Sequence, residues 1–122
     1  MTGVQTCALP IYTKLTLDKR SLATTRTHLA GLDDPLARAV LWEALWDMVR
    51  DAELLVSDYL EITLANIDVE TDSATLGTLT RRMTTAIESY SDPRTGPSQL
   101  AIVAKAASER QTRAAQIGRA HV

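Results

Sequence analysis

The tripeptide Asp33-Asp34-Pro35 and the run it opens constrain this chain more than any other feature. A carboxylate at the residue before a helix can accept from the free amides of the first turn. Proline at the first helical position loses nothing by lacking an N–H. The spacing therefore predicts a helix from Pro35 to Arg50, capped by Asp34. Leu36, Val40, Leu41, Trp42, Ala44, Leu45, Trp46, Met48 and Val49 are all apolar. At about 100° per residue, Glu43, Asp47, Arg50 and Asp51 fall in one narrow polar stripe. A helix apolar around most of its circumference is enclosed by others, so this one is expected at the centre of the fold.

Four further helices are expected around it. Asp18 caps a helix running to about Ala30 and stopped by Gly31, with Leu22 and Leu29 inward. Thr24, Thr25 and Thr27 are poor helix formers, so this helix needs packing to hold it. Ser57 opens a helix to Asn66, which is expected to end it in a left-handed conformation. A helix from Asp72 to Tyr90 has a regular face of Leu76, Leu79, Met83, Ala86, Ile87 and Tyr90. Ser91-Asp92-Pro93 breaks it, and Pro97 opens the last helix, with Leu100, Val103, Ala104 and Ala107 inward and a length reaching at least Arg110. Tyr12–Leu17 alternates weakly and reads as a short strand or an extended lead-in. The expected class is all-α: about five antiparallel helices in an α-solenoid-like array. A closed bundle fits the periodicity equally well, since no residue-level repeat is visible.

The two ends lack this organisation. Thr2–Ile11 (TGVQTCALPI) and Ile117–Val122 (IGRAHV) have no period, cap or helix pattern. Both can be back-translated to one short sequencing adapter, read inward from each end of an insert. Residues 1–11 and 117–122 are therefore expected to be adapter-derived, and residues 12–116 to be the biological segment. Cys7 and His121 then drop out of functional reasoning. The segment keeps 12 basic residues against 15 acidic ones, a net charge of −3, and has no cysteine. That composition fits a reducing cytoplasm and gives no electrostatic case for nucleic acid or an anionic membrane. No apolar run approaches the roughly 18 residues of a membrane span.

No catalytic, cofactor-binding or metal-ligating residue emerges. A zinc hydrolase of the thermolysin kind needs two histidines one helical turn apart, and the segment has only His28. Gly31, Gly77 and Gly96 are isolated, so there is no phosphate loop. Glu43 and Asp47 could be paired carboxylates, but Arg50 lies close enough to neutralise part of a solvated stripe. Arg81 and Arg82 point in different directions on a helix and read as surface. Trp42 and Trp46, four apart, could line a groove but fit core or an inter-domain contact better.

As a string, LDDPLARAVLWEALWDMVRDAEL (Leu32–Leu54) resembles the C-terminal helical domain of actinobacterial aminopeptidase N, in the gluzincin family of zinc metallopeptidases. The similarity extends upstream through YTKLTLDKRSLATTRTHL (Tyr12–Leu29) and downstream through Asp58–Pro93. Its specific part is DDPLARA-x-x-W-x-x-x-WDM-x-RDAEL. The resemblance implies a fragment of a larger enzyme that removes N-terminal residues from peptides. Its zinc and its His-Glu-x-x-His and Gly-x-Met-Glu-Asn motifs would lie in a catalytic domain elsewhere in the parent chain. This segment would cap that site and shape peptide access, with no catalysis of its own. Its partners would be that catalytic domain and the parent's peptide substrates. The alternative expectation is a stand-alone helical-repeat interaction module that docks a partner through the Pro35 helix and Trp42/Trp46.

Overall fold

The structure is a computed structural model that describes residues 4–8 and 13–120; side chains are described at 17–113, 115 and 116. Expectations for Tyr12 and His121 lie outside the described residues. Among the described residues the fold is all-α apart from one N-terminal strand pair. Strand β1 (Val4–Ala8) pairs antiparallel with β2 (Thr13–Leu17), with Val4 opposite Leu17 and Ala8 opposite Thr13. β1 carries no sequence period, because a ladder is made by backbone groups that every residue here supplies. β2 packs on α2 and buries Leu17.

Five helices follow: α1 (Lys19–His28), α2 (Pro35–Arg50), α3 (Val56–Asn66), α4 (Ser73–Tyr90) and α5 (Gly96–Ala120). Three starts use the expected carboxylates. Asp18 accepts from the Ser21 amide at 2.7 Å, Asp34 from Leu36 at 2.9 Å and Asp72 from Thr75 at 2.9 Å. The Thr75 amide and hydroxyl hold the Asp72 carboxyl below the usual carboxylate range. Short 3-10 turns, Leu29–Gly31 and Ile67–Val69, extend α1 and α3.

Two helix ends differ from expectation. α3 begins one residue before Ser57, after Leu55, with no side-chain cap; Asp58 in its first turn complements the helix dipole instead. Asn66 is not left-handed but has φ −118° and ψ −9°. Its amide is used on another helix, which removes any need for a left-handed stop. Among the described residues, the one non-glycine residue with positive φ is Ala52, at φ 59° in the turn leaving α2.

α3, rather than α2, sits at the centre. It packs against α1, α2 and α4, and Tyr59, Ile62 and Thr63 on it are fully buried. α2 buries Trp42, Ala44, Leu45, Met48 and Val49 but leaves Leu36 71% exposed and Val40 40% exposed. Its apolar circumference is thus wider than the surface these helices cover. α4 lies across α2 and α3 with Leu79, Met83, Ala86 and Ile87 buried. α5 packs on α4 through Val103, while Leu100 and Ala104, expected inward, are exposed. One contiguous core joins Leu17 and Leu29 at one end to Val103 at the other. Truncating one of its fully buried leucines to alanine costs about 2–5 kcal/mol.

Candidate functional site

The polar stripe of α2 does not form a carboxylate pair. Glu43 is taken by Arg82 of α4, Nη2 to Oε1 at 2.6 Å, while Asp47 meets Arg50 on its own helix at 3.6 Å. Arg82 therefore departs from the surface role expected of it. Its side chain is 20% exposed, bridges α4 to α2, and holds its guanidinium carbon 5.7 Å from the Trp46 ring centroid. The ring quadrupole attracts a cation placed there. Arg81, one residue back, is exposed as expected.

Trp46 is half-buried between two tyrosines, with Tyr59 at 5.9 Å and Tyr90 edge-on at 6.2 Å. Trp42 is buried core, and its indole N–H donates to Glu70 Oε1 at 3.1 Å. Both tryptophans are spent on packing, as their position on the apolar helix implied. Arg82 beside Tyr59 also bears on that phenol. Burial pushes the Tyr59 hydroxyl up to about 12, against an opposing pull from the Arg82 charge.

The strongest polar constellation is one that sequence reasoning missed. Arg38 is buried, with Nε donating to Glu70 Oε1 at 2.8 Å and Nη1 donating to the Leu32 carbonyl at 2.6 Å. With the Trp42 indole, this ties the start of α2 to the turn after α3. The signal was present: Arg38 lies in line with Trp42, Leu45 and Val49 at helical spacing, so a charge on the buried stripe demanded a buried partner. The arrangement reads as structural, since the Arg38 and Glu70 side chains are both about nine-tenths covered and bonded to each other.

His28 is exposed in the last turn of α1, with Nδ1 2.6 Å from Thr27 Oγ1 and 3.2 Å from the Thr24 carbonyl. Among the described residues no three His, Cys, Asp or Glu side chains converge on a possible metal position. A groove of about 530 Å³ opens between β2, α1 and α2. Leu17, Leu29, Leu32 and Leu41 form its apolar lining, with Arg20, Thr24 and His28 among its polar groups. It holds no nucleophile paired with a base.

The family model of the ERAP1-like C-terminal domain matches residues 11–116. Aminopeptidase N of Streptomyces lividans is 42% identical over 82 residues, which is 67% of this chain and 10% of the relative. The chain thus spans about a tenth of the length of that relative. The match runs through all five helices, and the chain belongs to the ERAP1-like C-terminal domain family.

Proposed function

We propose that this chain is part of the C-terminal helical domain of a zinc-dependent aminopeptidase. In the parent it caps the catalytic site and limits which peptides reach it, with no catalysis of its own. The observation that carries this reading is the family match over residues 11–116, joined to the 42% identity with an aminopeptidase N. Covering a hydrolytic site excludes bulk water and restricts access by size. Exposed apolar side chains, Leu36, Leu55 and Ile102 above all, fit a piece whose remaining contacts are made by the rest of its parent.

On this reading zinc is held by the catalytic domain, and the partners of this segment are that domain and the peptides passing beneath it. The parent works in the cytoplasm without nucleic-acid or membrane partners. An acidic chain and described helices too short or too polar to cross a membrane are in keeping with that. On this reading residues 1–11 and 117–122 are adapter-derived and residues 12–116 are the domain; a family match over residues 11–116 supports bounds close to these.

The test starts from genomic DNA flanking codons 12 and 116. An upstream frame encoding His-Glu-x-x-His is expected; a natural start and stop close by would overturn the assignment. The full-length parent is then assayed on aminoacyl-nitroanilides and on peptides of increasing length, with and without residues 12–116. Loss of the segment should relax length preference while small substrates are still cleaved. If residues 12–116 instead form a cooperatively melting monomer encoded as a separate gene, the stand-alone interaction module is the correct reading.

A further inference from the structure

Trp46 meets two tyrosines at nearly equal distances, but only one of them can lose a proton to water. Its ring centroid lies 5.9 Å from that of Tyr59 and 6.2 Å from that of Tyr90, the latter edge-on. Tyr59 is fully buried, and its hydroxyl has no hydrogen-bond partner among the described residues. Tyr90 closes α4 and is 47% exposed. A phenol that loses an electron becomes a strong acid, so tyrosine is oxidised where its O–H proton has an acceptor. Solvent supplies that acceptor at Tyr90. Trp46 itself is half-buried, whereas Trp42 is 3% exposed and shielded from a diffusing oxidant. The Arg82 guanidinium carbon stands 5.7 Å from the Trp46 ring centroid. A cation there is attracted to the neutral ring and repelled by a ring that has lost an electron. Arg82 therefore favours passing the electron vacancy onward, and Glu43, paired with Arg82 but 60% exposed, offsets only part of its charge.

We infer that Trp46 and Tyr90 form a two-ring relay that carries oxidising equivalents to the surface and makes Tyr90 a site of oxidative modification. The reactant is a diffusible one-electron oxidant, such as the carbonate or azide radical. It takes one electron from Trp46, and the indole radical cation gives its N–H proton to water. The Trp46 radical then takes an electron from Tyr90 and a proton from solvent, which restores the indole. The Tyr90 phenol releases its proton to water and becomes a phenoxyl radical. Two such radicals on two chains join through their ortho carbons; each ring then loses its ortho hydrogen as a proton and regains one at oxygen, giving dityrosine with no further oxidant. The relay is independent of the proposed parent enzyme, because every ring and charge in it belongs to this chain.

The test is pulse radiolysis of the full chain with azide radicals, the Cys7 thiol first capped with iodoacetamide so that it does not consume the radical. Transient absorption should show the indolyl radical decaying as a phenoxyl radical grows, at a rate independent of protein concentration. Cleavage after lysine and arginine leaves Tyr12, Tyr59 and Tyr90 in separate peptides, so mass spectrometry locates the cross-link. Most of the dityrosine should fall at Tyr90. Tyr90→Phe keeps the ring beside Trp46; it should remove most of the phenoxyl growth and lengthen the indolyl lifetime several-fold, while Tyr59→Phe should change neither. Trp46→Phe should cut the Tyr90 cross-link several-fold, and if that variant does not fold, the Tyr90→Phe kinetics decide alone. Phenoxyl growth that scales with protein concentration, a cross-link mainly at Tyr12 or Tyr59, an indolyl decay unchanged in Tyr90→Phe, or a full Tyr90 yield in folded Trp46→Phe each overturns the proposal.

Discussion

Asn66, the last residue of α3, closes the end of α1. Its Nδ2 donates to the Arg26 carbonyl at 3.1 Å and to Ile62 of its own helix at 2.8 Å, and its Oδ1 accepts from the Ala30 amide at 3.1 Å. The residue is 3% exposed, so water cannot replace these bonds. A helix end otherwise left with unpaired carbonyls is satisfied from a neighbouring helix. Asn66→Ala should lower unfolding free energy by about 2–4 kcal/mol, because it strands buried groups on both helices. Urea denaturation should show a lower midpoint with an unchanged slope. Asn66→Asp should be damaging too, since it keeps the acceptor and loses both donors.

The Arg38–Glu70 pair makes a sharper prediction, because its cost depends on which partner is removed. Both side chains are about nine-tenths covered. Arg38→Met leaves Glu70 with only the Trp42 indole, and about 3–5 kcal/mol should be lost. Glu70→Leu strands the guanidinium and should cost as much. The double variant Arg38→Met/Glu70→Leu should be less damaging than the sum, since no buried charge remains unpaired. A double-mutant cycle by denaturant unfolding, with Trp42 fluorescence reporting loss of its acceptor, measures the difference.

These two contacts also mark what could be read from the chain alone. The capping carboxylates Asp18, Asp34 and Asp72 act within three residues of themselves, so local sequence specifies them. The Pro35–Arg50 span follows from the same kind of local rule. Asn66 and Arg38 work at separations of 36 and 32 residues, where the partner is set by how helices dock. Arg82 misled for the same reason: its neighbours in sequence say surface, while Glu43 and Trp46 meet it from 39 and 36 positions away. The chemistry of the parent is of a third kind. It reached this chain only through resemblance, because the proposed reading puts the reaction in a catalytic domain elsewhere in the parent.

Ala52 offers a stabilising change. Asp51 closes α2, and the Glu53 amide donates to the Met48 carbonyl at 2.8 Å while the Ala52 amide donates to Val49 at 3.1 Å. That pairing places Ala52 at the left-handed position where glycine is favoured, with φ 59°. The left-handed conformation costs an alanine roughly 1–2 kcal/mol. Glycine recovers most of this but gives back about 0.4–1 kcal/mol through the freedom of the unfolded chain. Ala52→Gly should therefore raise stability by about 0.5–1 kcal/mol, seen as a higher melting temperature. A fall in melting temperature would show that the turn is not strained.

Tyr59 predicts how the fold responds to alkali. Its phenol is pushed up to about 12 by burial, from an ordinary value near 10. Between those values the unfolded chain gives up the phenolic proton and the folded chain keeps it, so the folded state binds more protons. Stability from this group is then fully present below about pH 10 and is lost as pH rises toward 12. The loss amounts to about 2–3 kcal/mol once both states are ionised. Tyr59→Phe removes the titration, and the hydroxyl it deletes is buried with no hydrogen-bond partner among the described residues. The variant should match the parent chain near pH 7 and lose less stability between pH 10 and 12. Denaturant unfolding at pH 7, 10 and 11.5 tests this. Equal alkaline losses in both proteins would place the sensitivity in groups other than Tyr59.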